Sequence, residues 1–354
     1  MKRGIMQALD TIQSKRERIF GFDFARCICA IMIVLFHYAC HTASEHRLFF
    51  KLASGDYGGL AVTVFFILSG ASLFYNYPDV PSIKMFWFKR WKSIFPMFYL
   101  CFLFYYIQNV LKCHAVFYGP SPKTLVLTLF GVDGYFLYRI PNYYQVGEWF
   151  LGAIIFLYLL YPFMIKIMKK CRFVIPIILA AGYYAVLFLN IFTINSSRNL
   201  ITCATSFYIG ILFMKHRKVF FENTICISAA STIAVVLFFV PVPILHKLGI
   251  SSQVHGIFAF LLFVFVGERI KMCRVSAVVK WISKMSFPIF LFQHKVIRHV
   301  QGIYNPINVG GEVLMIMVTF FLVIVFSKVL AVVNDALLKS KFFVFLEHKI
   351  TNSL

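Results

Sequence analysis

Two polar side chains interrupt the apolar segment from Asp23 to His41, and both could take part in chemistry. Arg26 and His37 are eleven residues apart. At about 100° per residue they lie on one face of a helix, separated by roughly 16 Å along its axis. An imidazole accepts a proton near neutral pH, so His37 could serve as a general base, whereas a guanidinium keeps its charge and can only bind anions. The alternative is a structural histidine that is hydrogen-bonded to a neighbouring helix.

The composition predicts that the helix carrying these residues crosses a lipid bilayer. Of the 354 residues, 60% are hydrophobic and only 14% are charged, whereas a soluble domain carries about 25% charged residues. Apolar runs of spanning length recur along the chain. We therefore predict an all-α, polytopic integral membrane protein with about ten transmembrane helices, at 23–41, 58–76, 94–111, 148–167, 173–192, 199–214, 224–241, 253–268, 284–300 and 312–333.

The basic residues indicate the orientation of these spans. The net charge is +22, but no nucleic-acid-binding motif accompanies it, so we expect no nucleic-acid partner. With the N-terminus inside, the segments on that side carry 23 Lys and Arg residues and the opposite loops carry 7, which is the positive-inside pattern. We predict a cytoplasmic basic leader over residues 1–22, a membrane domain over 23–333 and a cytoplasmic tail over 334–354. In this orientation Arg26 lies at the cytoplasmic end of the first span, where Asp23 could pair with it, and His37 lies beyond the middle.

Basic residues precede Pro96 at the start of the third span. They could bind anionic lipid headgroups, or they could bind the phosphates of a ligand that arrives from the cytoplasm. The cluster consists of Lys89, Arg90 and Lys92.

Three further polar residues lie within or beside predicted spans. Ser69 belongs to a small-residue patch that either packs closely against another helix or lines a polar cavity. Glu148 opens the fourth span, where it is either a partner of the helix dipole or a functional acid. His294 lies deep in the ninth span, while its neighbours Lys295 and Arg298 could extend to the outer interface.

A metal site would need a third ligand. His37 and His41 are one helical turn apart and could bind an ion together. No third ligand is evident in the sequence, so we expect no metal and place His41 at the outer interface.

The order of four motifs resembles the acyltransferase-3 family of bacterial integral-membrane acyltransferases. Arg26 and His37 are similar to its R-x10-H pattern in the first span, and VFFILSG at 64–70 resembles its F-F-x-L-S-G. KRWKSIFP at 89–96 is similar to the basic cluster before I-x-P, and SFPIFLFQH at 286–294 resembles S-[YF]-x-x-Y-L-x-H. Three positions depart from the pattern: Ser93 stands where a second arginine is frequent, Glu148 precedes Trp149 instead of following a W-S pair, and Phe290 replaces a tyrosine.

The resemblance implies a ten-helix enzyme of the bacterial cytoplasmic membrane with no bound cofactor. It would take an acyl group, most often acetyl, from cytoplasmic acyl-CoA and transfer it to a hydroxyl of a cell-surface polysaccharide or lipid-linked glycan. The resemblance assigns His37 and Arg26 to catalysis. From their chemistry we add Lys89, Arg90 and Lys92 as the site for the donor phosphates, and Ser69, Glu148 and His294 as supporting residues. A secondary transporter with a proton-coupling His37 is the competing hypothesis, and a non-catalytic lipid-binding protein is a third; the oligomeric state is left open.

Overall fold

A computed structural model describes residues 17–42, 57–189, 191–272, 274–304 and 306–352, and these residues form helices and connections without a strand. The all-α prediction is therefore confirmed. Three short segments have other helical geometry: 3-10 turns at Pro122–Thr124 and Ser196–Arg198, and a π turn at Lys218–Glu222. The α-helices of the described residues are α1 (Phe20–His41), α2 (Tyr57–Asn76), α3 (Ile83–Cys113), α4 (Leu125–Leu129), α5 (Asp133–Phe136), α6 (Glu148–Lys170), α7 (Val174–Phe188), α8 (Leu200–Lys215), α9 (Thr224–Phe239), α10 (Pro243–Lys247), α11 (Ser251–Ile270), α12 (Ser276–Ile303), α13 (Val309–Leu338) and α14 (Lys341–Asn352).

Several of these helices have the length and composition of membrane spans. In the described part of the chain, α1, α2, α3, α6, α11 and α13 are long and apolar enough to cross a bilayer. Helices α7, α8 and α9 are apolar but shorter, with 15 or 16 residues each. Helix α12 is long enough but carries Lys280, Lys284, Lys295 and Arg298. The chain is a multi-pass membrane protein, and the count of ten spans and the sides of the termini stay predictions.

Each of the ten predicted spans overlaps one helix, but some boundaries differ. Helix α3 begins at Ile83 and α12 at Ser276, ahead of the predicted starts at 94 and 284, because both helices continue through basic residues that the apolar pattern left out. Helix α1 includes residues 20–22 of the predicted leader, and residues 1–16 lie outside the described part. In the described part of the predicted tail, α14 follows α13 and places Phe343 against the ring of Trp91, with 6.2 Å between centroids.

Helix α1 occupies a central position because it packs against α2, α11 and α12. Helix α2 packs closely on α8, where Gly70 and Gly210 leave no room for a side chain: a Cβ on either would collide with a backbone carbonyl of the opposite helix. Such small residues allow helices to approach closely in a membrane, where dispersion contacts replace the hydrophobic driving force. Packing was one of two hypotheses for the small-residue patch, and it holds for Gly70.

Contacts between helix ends show which residues share one side of the bundle. The hydroxyl of Tyr75, near the end of α2, donates to the carbonyl of Glu17 just before α1, at 2.8 Å. Lys169, near the end of α6, pairs with Asp79, which follows α2. The start of α1 and the ends of α2 and α6 therefore lie on one side, which we call the Arg26 side.

Candidate active site

A cavity of about 580 Å³ extends along α1 from the Arg26 side to the opposite side of the bundle. Arg26 and His37 both line it, so the predicted shared helix face is the face that borders the cavity. Helices α2, α3, α6, α11 and α12 contribute the other walls together with the turn before α8. Its polar lining consists of Arg26, His37, Ser69, Ser93, Glu148, Tyr158, Ser197, Arg198, Ser252 and Ser286.

His37, Glu148 and His294 converge from three helices; the first two line this cavity, and His294 contacts Glu148 without lining it. Nε2 of His37 lies 3.6 Å from Oε1 of Glu148, and Nε2 of His294 lies 2.5 Å from the same oxygen. The two imidazole rings are 3.9 Å apart between centroids. The His294–Glu148 contact is short but lacks hydrogen-bond alignment, since neither atom has an aligned partner among the described residues. The arrangement places one carboxylate between two imidazoles, where it stabilises whichever ring is protonated.

The backbone before α6 positions Glu148. Gly147 has φ +96°, and Glu148 itself has φ +41°, which is uncommon for a residue with a side chain. A Cβ at position 147 would lie 2.6 Å from Cδ2 of Leu151. Strained backbone of this kind costs about 1–3 kcal/mol and is frequent at functional sites. The Gly-Glu pair therefore turns the chain into α6 so that the carboxylate meets the histidines.

A short connection packs behind Glu148 and contains a buried acid. Asp133 is 1% exposed and opens α5. It accepts hydrogen bonds from the Thr128 hydroxyl at 3.0 Å and from the Gly134 amide at 2.9 Å. Burial raises the pKa of Asp133 to about 6, because desolvation disfavours the carboxylate more than these two donors favour it. A Cβ on Gly134 would lie 2.5 Å from the Glu148 carbonyl oxygen, so this turn sets the position of the Glu148 backbone.

Arg26 belongs to a polar network at its own side of the cavity. Its Nη1 donates to Ser283 Oγ at 3.2 Å and lies 3.4 Å from Asp23 Oδ1. The Ser283 hydroxyl donates to the same Asp23 oxygen at 2.8 Å, and Arg18 also binds this carboxylate. The predicted Asp23–Arg26 pair is confirmed. Since Arg18 shares the acid, Arg26 can direct its remaining donors into the cavity.

The sequence analysis did not identify Arg198, a cation that lines the cavity at the end away from Arg26. Arg198 was counted only as a loop charge, but it lines the cavity and lies over the ring of Trp149, 5.7 Å from its centroid. Asn199 caps α8 by accepting from the Ile201 amide at 3.0 Å, which holds the preceding turn in place. The polar run Ser196–Asn199 before an apolar helix was the available signal.

The remaining predicted residues divide between the cavity and its surroundings. Ser69 lines the cavity, although its hydroxyl donates to the Phe65 carbonyl at 2.7 Å. Arg90 lies outside the lining: Nη2 donates to the Tyr77 hydroxyl at 3.3 Å and the guanidinium lies 5.3 Å from the centre of that ring. Lys92 pairs with Glu347 of α14 at 2.7 Å. The structure therefore brings His37, Arg26, Ser69 and Glu148 to one cavity. His294 contacts Glu148 without lining the cavity, and Lys89, Arg90 and Lys92 also lie outside the lining.

The structure brings a third candidate metal ligand, His294, close to His37 and His41, which the sequence did not indicate. His37, His41 and His294 each offer a ring nitrogen, and these atoms lie within 4.8 Å of one another. In a tetrahedral site with bonds of about 2.05 Å the ligand atoms are roughly 3.3 Å apart. Nitrogen atoms at the outer limit of 4.8 Å would have to approach one another to hold an ion. The Glu148 carboxylate contacts two of these histidines and favours a cation, whereas the cationic Arg198 in the cavity lining opposes one.

Comparison with protein families finds a match to the family model Acyl_transf_3, described as an acyltransferase domain, over residues 19–332. No curated protein matches the chain. No solved structure matches it either. The match covers α1 to α12 and most of α13, including every wall of the cavity, and with the membrane-like helices it makes the protein a membrane acyltransferase. The chain belongs to the acyltransferase family that this model defines, which is the family that its four ordered motifs resemble.

Proposed function

We propose that the protein transfers an acyl group, with acetyl as the expected group, from acyl-CoA to a hydroxyl of a cell-surface polysaccharide or of its lipid-linked precursor. The donor arrives from the Arg26 side, which the positive-inside pattern predicts to be cytoplasmic. The acceptor arrives from the side of Arg198. The membrane would be the bacterial cytoplasmic membrane, as the family resemblance implies.

One observation carries this proposal: a single cavity joins Arg26 on one side to His37, Glu148 and Arg198 on the other. Along α1 the first two are separated by roughly 16 Å. A donor and an acceptor that remain on opposite sides of a membrane can react only if such a passage brings them together. A base partway along the passage is where the two substrates would meet.

In the proposed mechanism His37 is the general base. It takes the proton of the acceptor hydroxyl while that oxygen attacks the thioester carbonyl carbon. The Glu148 carboxylate, 3.6 Å from Nε2, stabilises the imidazolium that forms. Collapse of the tetrahedral intermediate breaks the C–S bond, and the imidazolium returns the proton to the departing CoA thiolate. An ester and a free thiol result, and the base is restored.

His294 and Arg198 have supporting roles in this proposal. His294 lies 2.5 Å from Glu148 and restricts the positions that the carboxylate can take beside His37. Arg198 is a fixed positive charge in the cavity wall, suited to stabilise the oxyanion of the intermediate or to bind the acceptor. Ser69 lies along the path of the donor arm.

Arg26 and the basic residues of α3 would bind the donor phosphates. Arg90 is placed by Tyr77 and keeps donors for a phosphate, for which its planar fork is suited. Lys92 would have to break its ion pair with Glu347 before it could bind a phosphate, so it contributes less to donor binding than Arg90. Lys89, beside Arg90 in sequence, adds to the positive field.

The test is acyl transfer in isolated membranes that contain matched amounts of wild-type protein or of His37→Gln. Labelled acetyl-CoA is supplied from the predicted cytoplasmic side, and label is followed into glycan. In parallel, mass spectrometry compares surface glycan from a deletion strain with wild type. Loss of an acyl mass in the deletion strain and in the His37→Gln strain identifies the acyl group. Unchanged glycan in both strains would contradict the proposed function.

A further inference from the structure

A second cavity, of about 530 Å³, lies on the Arg26 side of the bundle. Its walls come from the end of α2 and the residues after it, the end of α6 and the end of α8. We call it the basic pocket, and it is lined by Phe74, Pro78, Asp79, Met168, Lys169, Lys170, Arg172 and Lys215.

The charge of the basic pocket suits a multiply charged anion. Four cations face one acid, and that acid, Asp79, is paired with Lys169. Lys170 and Lys215 have no carboxylate within ion-pair distance among the described residues. Arg172 lies over the ring of Phe173, 4.6 Å from its centroid, which leaves the guanidinium edges open. Three of these cations belong to the basic run at the end of α6, and the tertiary structure adds Lys215 from the end of α8.

A short chain of contacts joins the basic pocket to the cavity of the active site. Pro78 of the pocket follows Tyr77, whose hydroxyl accepts from Arg90. The Arg90 carbonyl accepts from the Ser93 hydroxyl at 2.8 Å, and Ser93 lines the active-site cavity. Arg90 therefore lies between the two cavities.

The distance along α2 between the two cavities indicates the shape of a ligand that could occupy both. Phe74 lines the basic pocket and Gly58 lines the active-site cavity near the level of His37. Sixteen residues separate them, which is about 24 Å of helix. A ligand that occupies both must be long and narrow, with its anionic groups at one end and its reacting atom at the other.

We propose that the basic pocket binds the 3′-phosphorylated nucleotide of acyl-CoA, with Arg90 on the diphosphate and the pantetheine arm extending into the active-site cavity. This inference rests on the proposed function, because it takes acyl-CoA as the donor. Lys170, Arg172 and Lys215 neutralise the 3′-phosphate, which carries close to two negative charges near neutral pH. The headgroup of an anionic lipid offers the same chemistry, and the experiment separates the two sources.

The test measures the binding of CoA and of dephospho-CoA, which lacks only the 3′-phosphate, to purified full-length protein in nanodiscs of neutral lipid. We expect wild type to bind CoA at least tenfold more tightly than dephospho-CoA. Lys170→Ala and Lys215→Ala should each weaken CoA binding about tenfold and leave dephospho-CoA binding nearly unchanged. Lys218→Ala is the matched control, since this exposed lysine is three residues from Lys215 but does not line the pocket; it should preserve the preference.

Equal affinity of wild type for the two ligands would overturn the inference. So would an equal loss for both ligands in Lys170→Ala and Lys215→Ala, which would indicate a diffuse electrostatic effect. A preference that disappears in nanodiscs of anionic lipid would assign the pocket to a lipid headgroup. The proposed function fails separately: wild type that binds CoA but transfers no acyl group contradicts the transfer, whereas transfer without a 3′-phosphate preference contradicts only the pocket.

Discussion

Glu148→Gln removes the charge that stabilises the protonated His37 and keeps nearly the same side-chain shape. The imidazolium and the carboxylate are 3.6 Å apart. At an effective dielectric constant of 20, two unit charges at this distance attract by about 4–5 kcal/mol. Each 1.36 kcal/mol of lost transition-state stabilisation is a factor of ten in rate, and the glutamine dipole retains part of the interaction. We expect acyl transfer to fall by roughly 10²–10³-fold.

The assay is transfer of labelled acetyl from acetyl-CoA by purified protein in nanodiscs, with kcat and KM measured separately. The loss should be in kcat, since Glu148 acts on the protonated base and not on the donor. Glu222→Gln is the control. This acid lies outside the cavity lining, and its Oε1 is 3.0 Å from Nε of Arg217. Thermal unfolding of both variants shows whether the strained turn before α6 is intact. A folded Glu148→Gln protein with a kcat near wild type would refute the electrostatic role of the carboxylate.

Four further outcomes follow from the site. His37→Gln should lower transfer by about 10²–10⁴-fold with acyl-CoA affinity retained, while His41→Ala keeps transfer near wild type; the reverse pattern would mean that His41 is the base. Gly147→Ala should lower the unfolding temperature and transfer together, since the φ of +96° costs about 1–3 kcal/mol with a side chain; an unchanged protein would show that the turn is unstrained. The raised pKa of Asp133 means that the folded state binds its proton more tightly than the unfolded chain, so its contribution to stability is full below pH 4 and is lost as pH rises through 6. Between pH 4 and pH 6 the unfolding temperature of wild type should therefore fall more than that of Asp133→Asn. Parallel plots of unfolding temperature against pH for the two proteins would contradict this prediction. Prolonged EDTA treatment should leave transfer unchanged; activity lost with EDTA and restored by Zn²⁺ would assign the histidines to a metal.

The placement of Arg26 and His37 on one face could be predicted because helical periodicity is local. In a membrane every backbone group must bond within its own helix, so the angle between two residues of one span follows from their spacing. The same reasoning located the helices that overlap the predicted spans and the Asp23–Arg26 pair, both of which depend on neighbours in sequence. It placed the starts of α3 and α12 too late, since helices continue through basic residues outside the apolar run.

The sequence alone determined that the chain is an all-α membrane protein, which family its motifs resemble, and which helix carries the polar face. Only the tertiary structure decided what that face meets. Glu148 and His294 are 111 and 257 residues from His37 along the chain, and their contact depends on how three helices pack and on the turn at Gly147. In the sequence Arg198 was marked only by the polar run around it, and the four cations of the basic pocket were indistinguishable from ordinary loop charges. Their roles depend on which helix ends lie side by side, and that is set by the summed packing of side chains across helices and not by any local pattern.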